Sequence, residues 1–77
     1  MKEVLLELGY NEETETRYIK AYKKCVILID IEKGLIYVYS TEYGNGINKF
    51  STKHDGDIFK DILNAKIRDF LEEGETI

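Results

Sequence analysis

Arg17 to Cys25 reads RYIKAYKKC, a run that sets Arg17, Lys20, Lys23 and Lys24 into eight positions with Tyr18 and Tyr22 between them. Cations spaced along an extended strand can follow a phosphate backbone while aromatic rings stack on bases, so Arg17, Lys20, Tyr22, Lys23 and Lys24 form a candidate nucleic-acid site. Strand alternation argues against one continuous surface, because Lys20 shares a face with Tyr18 and Tyr22 while Arg17 falls on the other. Lysines on a strand also discourage edge-to-edge aggregation. The acids Glu12, Glu13 and Glu15 stand ready to neutralise the run. Nucleic acid is therefore the alternative partner, with a protein preferred.

Two further groups could engage a protein. Tyr37, Tyr39 and Tyr43 follow Tyr18 and Tyr22 in a chain with only three phenylalanines. Tyrosine suits a surface that is wet when free and dry when bound, and it is enriched among residues that dominate interfaces. Tyr37, Tyr39 and Tyr43 are the expected anchors. Asp57, Asp61, Asp69, Glu72 and Glu73 are expected along the polar side of the last helix. Carboxylates arrayed there can imitate phosphates and fill the basic cleft of a nucleic-acid enzyme.

The chemistry of catalysis is thinly represented. His54 is the only histidine and Cys25 the only cysteine. Cys25 lies in a strand-like run and reads as a small buried hydrophobe. The segment HDGD (His54, Asp55, Asp57) has three potential metal ligands, but helix initiation is its simpler use. No phosphate-binding loop, dinucleotide fingerprint or paired-cysteine motif occurs. No catalytic role, metal or cofactor is expected.

Charge is distributed in blocks. The net charge of −4 divides into −4 over residues 1–16, +4 over 17–24, zero over 25–54 and −4 over 55–77. At 77 residues and 43% hydrophobic side chains, the chain has the makings of one small folded domain spanning residues 1–77. No apolar run approaches the ~18 residues of a membrane span. The opening MKEVLLELGY places glutamates inside its apolar segment, unlike a secretory signal, and with the lone cysteine this points to a cytoplasmic location.

The elements that must position these residues follow from periodicity. KEVLLELGY predicts a short helix ended by Gly9 in a left-handed cap, with a strand as the competing reading. From Thr16 to Ser51 the period is two. RYIKAY and CVILIDI are strands, IEKG is a tight turn with Gly34 left-handed, and LIYVYS returns with Leu35, Tyr37 and Tyr39 on one face. YGNGI predicts a second turn in which Asn45-Gly46 supplies positive φ, followed by the short strand INKFS. The best helix starts near Thr52 or Asp55, carries Ile58, Phe59, Ile62, Leu63, Ile67, Phe70 and Leu71 on its apolar face, and ends at Gly74.

The expected fold is α+β: a short N-terminal helix, a three- or four-stranded antiparallel meander, and a C-terminal helix packed on one sheet face. This order of elements resembles the double-stranded-RNA-binding domain over a similar length. That family places a lysine cluster at the start of its last helix, after a glycine-containing hairpin. Gly44 and Gly46 are present here, but the helix start KHDGDIFKD is acidic where phosphate would dock, so the RNA-binding function is not implied.

The expectation for function is a small acidic binding protein. Its partner would be a larger protein, or a second copy. Proline-free, lysine- and isoleucine-rich composition suggests a low-GC bacterial or phage genome, and with small size, acidity and no catalytic groups a phage- or mobile-element-encoded inhibitor, of the anti-CRISPR type or another anti-defence protein, is the class expected.

Overall fold

The computed structural model describes all 77 residues. Helix α1 (Lys2–Glu7) leads into strands β1 (Asn11–Glu12), β2 (Arg17–Ala21), β3 (Cys25–Asp30), β4 (Leu35–Ser40) and β5 (Gly44–Lys49), then helix α2 (Gly56–Ile67) and a 3₁₀ turn (Arg68–Phe70). The five strands form one antiparallel sheet in the order β1-β2-β3-β4-β5. The α+β fold with one helix at each end of the meander is as the sequence implies. The fifth strand is β1, a two-residue ladder that pairs Asn11 with Ile19 and Glu12 with Tyr18 inside the stretch expected to be a polar connector.

Both helices cover the same sheet face. Tyr18, Cys25, Ile27, Ile29, Ile36 and Val38 alternate inward along their strands and are buried with Val4 and Leu5 of α1 and Phe59, Leu63 and Ile67 of α2. The last three fall at i, i+4 and i+8, so a single helical stripe meets the sheet. β-branched side chains suit this pleated surface, which is why Ile and Val dominate β3 and β4.

Turn chemistry fixes the register. The Asp30 carboxylate accepts from the backbone N–H groups of Glu32 (3.0 Å) and Lys33 (2.9 Å), closing the β3–β4 turn. Gly34 has φ +67°, as expected, and a Cβ there would meet the Phe50 carbonyl at 2.5 Å. Gly9 also has the expected left-handed backbone, φ +91°.

Two expectations are corrected. The second hairpin turns at Thr41–Tyr43, with Gly44 at φ +78°, while Asn45 and Gly46 belong to β5. The Ser40 hydroxyl accepts from the N–H groups of Glu42 (3.3 Å) and Tyr43 (3.1 Å), so a serine-based turn takes the place of the Asn-Gly turn. Helix α2 ends at Ile67, well before Gly74. The chain tightens into the 3₁₀ turn and leaves it extended at Leu71, where ψ is 150°. Phe70 is thereby set edge-on to Tyr43, ring centroids 5.9 Å apart. Asp55, not Thr52, caps α2, its carboxylate accepting from the Gly56 N–H at 2.7 Å.

Candidate functional site

No helix covers the second sheet face. Alternation assigns Arg17, Ile19, Ala21, Val26, Leu28, Asp30, Leu35, Tyr37, Tyr39, Asn45, Ile47 and Lys49 to it. The register aligns Ile19, Leu28, Tyr37 and Ile47 in one row across four strands. A second row sets Ala21, Val26, Tyr39 and Asn45 side by side. Ile47 is 64% exposed and Tyr39 45%, while Ile19, Leu28 and Tyr37 are half-buried by their neighbours. A contiguous band of this kind differs from the scattered apolar residues of an ordinary surface.

The charge of this face departs from that of the chain. The one carboxylate of β2–β5 on it, Asp30, is buried and is held by Arg17, Nε to Oδ2 at 3.5 Å. Burial works to raise the Asp30 pKa, but the N–H groups of Lys33 and Glu32 together with the Arg17 charge outweigh it and hold the carboxyl below its ordinary value. Lys49 has no carboxylate within ion-pair distance. Across β2–β5, a protein of net charge −4 therefore presents one sheet face with no free acid, while Glu13 follows β1 opposite Arg17 at its margin.

The candidate residues are distributed as follows. Tyr37 and Tyr39 lie together on the open face. Tyr43 is 60% exposed but stands in the β4–β5 turn, against Phe70. Asp57 and Asp61 project from the solvent side of α2, on the opposite side of the molecule from the two tyrosines. Asp69, Glu72 and Glu73 are not on that helix: Asp69 is in the 3₁₀ turn, and Glu72 and Glu73 lie beyond it. A flat partner on the open face cannot touch the α2 acids. Ile19, Leu28 and Ile47, which complete the row, are absent from the candidate residues that composition and spacing single out. Strand alternation already puts Leu28 opposite the inner face of β3, but the placement of Ile47 depends on where the second hairpin turns.

The basic run does not form one surface. Lys20 points to the helix-covered face, where its ammonium donates to the Leu8 carbonyl at 2.6 Å and lies 4.9 Å from the Tyr22 ring centroid. It thus caps the carbonyl end of α1, where a cation is favoured. Tyr22 bonds Tyr10, hydroxyl to hydroxyl, at 3.0 Å. Lys23 pairs with Glu72 at 3.8 Å and Lys24 with Glu42 at 3.4 Å. The Glu75 carboxylate ties the tail to the same turn by accepting from the N–H groups of Lys23 (3.1 Å) and Glu72 (3.0 Å). The acids meeting this run are thus distant ones, not Glu12, Glu13 and Glu15; Glu12 pairs with Lys2 at 3.6 Å. A shallow open cleft of about 250 Å³ lies here, between Lys23–Val26 and Tyr39.

Cys25 is buried on the inner face, and burial, aided by Glu75, pushes its thiol pKa up. His54 is in the exposed loop before α2. No three His, Cys, Asp or Glu side chains converge as metal ligands would. No helix is long and apolar enough to cross a membrane. No protein-family model, curated protein or solved structure matches the chain.

Proposed function

We propose that this protein is a non-enzymatic binding module that engages a larger protein through the open face of its sheet. Tyr37 and Tyr39 anchor the contact, and Ile19, Leu28 and Ile47 supply the apolar surface around them. The observation that carries this reading is the four-strand row Ile19–Leu28–Tyr37–Ile47 on a face that has no free carboxylate across β2–β5. Apolar area bordered by aromatic side chains and depleted of charge is the composition of an interface centre. Asp57 and Asp61 stay in solvent in such a complex and keep the free protein dispersed. An inhibitor carried by a phage or mobile element, blocking a larger enzyme by occupying its surface, is the biological role that size and acidity favour.

The competing role, nucleic-acid binding, has a direct test. Fluorescence anisotropy of labelled RNA and DNA, as duplexes and single strands, is followed at low and moderate salt. The proposal expects no saturable binding, because three of the four cations between Arg17 and Lys24 pair with carboxylates and Lys20 caps a helix. Tight binding that weakens steeply with salt would contradict it, since phosphate contacts release counterions.

A further inference from the structure

The two edges of the sheet are built differently. The β1 edge is two residues long and is followed at once by Glu13 and Glu15 in the connecting turn. Short length and charge are the usual devices that keep an edge from pairing with another chain. The β5 edge is six residues long, Gly44–Lys49, with no proline, no acid, one lysine at its end and a highly exposed isoleucine near its centre.

The ladder shows which groups this edge offers. The Phe50 N–H donates to the Gly34 carbonyl at 2.9 Å, so these facing residues form a hydrogen-bonded pair. In an antiparallel ladder such pairs alternate with pairs whose N–H and C=O groups point away. Moving from Phe50 toward the start of β5, Asn48, Gly46 and Gly44 turn toward β4. Asn45, Ile47 and Lys49 turn their N–H and C=O groups outward. These three also carry their side chains on the open face, opposite Tyr39, Tyr37 and Leu35.

We propose that two copies of the chain pair edge to edge through antiparallel β5 strands, with the two-fold axis at Ile47. In that register Ile47 faces its own copy and Asn45 faces Lys49 in both directions. The only charged side chain of β5 therefore meets an amide and not another lysine. The main-chain groups of Asn45, Ile47 and Lys49 find partners. The apolar row continues without a break from Ile19, Leu28, Tyr37 and Ile47 into the same four residues of the second copy. The partner is a second copy because the two-fold register sets exposed Ile47 against Ile47 and brings no like charges face to face. The guarded β1 edges stop further addition, so the assembly closes as a dimer with a ten-stranded sheet and does not grow into a fibre.

This pairing uses the edge and not the tyrosines, so it stands or falls separately from the protein-binding role. Sedimentation equilibrium of the full chain over a wide concentration range tests it, alongside Ile47→Lys and Ile47→Glu. The wild type is expected to show a reversible monomer–dimer equilibrium. Either charged variant alone sets like charges face to face across the axis and should weaken dimerisation about tenfold or more. An equimolar mixture of the two variants should restore it, because opposite charges then meet at the axis; the far-ultraviolet circular dichroism of each should match the wild type. Tyr37→Thr with Tyr39→Thr should leave the dimer intact. A wild type that stays monomeric throughout, a charged variant that dimerises as well as the wild type, or a mixture that fails to recover would overturn the proposal.

Discussion

Asp30 and Tyr18 are buried polar side chains at adjoining points of the sheet, and they have opposite consequences. Asp30 closes a turn through two backbone N–H groups and holds Arg17, so removing it leaves donors without partners. Asp30→Ala is expected to cost about 1.5–3 kcal/mol, the range for hydrogen bonds to a charged group. Because its folded pKa lies below the ordinary aspartate value, its stabilisation is complete above that value and is lost as pH falls through the folded one. Urea melts of wild type and Asp30→Asn across the acid range should show the wild type losing stability more steeply. The Tyr18 hydroxyl, in contrast, is buried with no hydrogen-bond partner within 3.5 Å, the Lys2 ammonium standing close enough to interact with it at longer range. Tyr18→Phe removes an unsatisfied group while keeping the ring, so its melting temperature is expected to match or exceed that of the wild type. A loss above about 1 kcal/mol would mean that the hydroxyl has a partner in solution.

At the scale of elements, the β3–β4 hairpin depends on Gly34 as well as on Asp30. Gly34 combines a left-handed backbone with a carbonyl 2.5 Å from where a Cβ would sit. Gly34→Ala is expected to cost about 1–3 kcal/mol, read as a drop in melting temperature; Gly44→Ala, with open space around it, should cost less. Gly34 was legible in the sequence because IEKG joins two strongly alternating strands. The second turn was not, since Asn45-Gly46 has the composition of a tight turn and only the Ser40 hydroxyl, bonding two and three residues ahead, moves the reversal to Thr41–Tyr43. The end of α2 was hidden for a related reason. Ile67, Phe70 and Leu71 keep helical spacing, so the change to a 3₁₀ turn leaves no mark in the apolar period. The helix–sheet layering and the placement of Tyr37 and Tyr39 followed directly from the period of two. What could not be read was the partner of each charge: Lys23–Glu72 and Lys24–Glu42 join residues far apart in the chain, and only the fold brings them together.

Over the whole molecule, charge and apolar surface are segregated. The chain is acidic, yet its carboxylates crowd the helices, the turns and the tail, leaving one sheet face with apolar and aromatic rows and a long edge without acids. That division makes a direct claim about where a partner sits. The decisive comparison is quantitative affinity capture from lysate of the source cell. The wild type is compared with a Tyr37→Thr, Tyr39→Thr double variant, which keeps strand-forming side chains, and with Asp57→Asn, Asp61→Asn on the opposite side. The open face as the contact surface predicts a partner retained by the wild type and the α2 variant and depleted at least about tenfold, or ~1.4 kcal/mol, by the tyrosine variant. A partner that survives the tyrosine substitutions and is lost with the α2 acids would refute the open-face contact and move the binding surface to the helix side of the molecule.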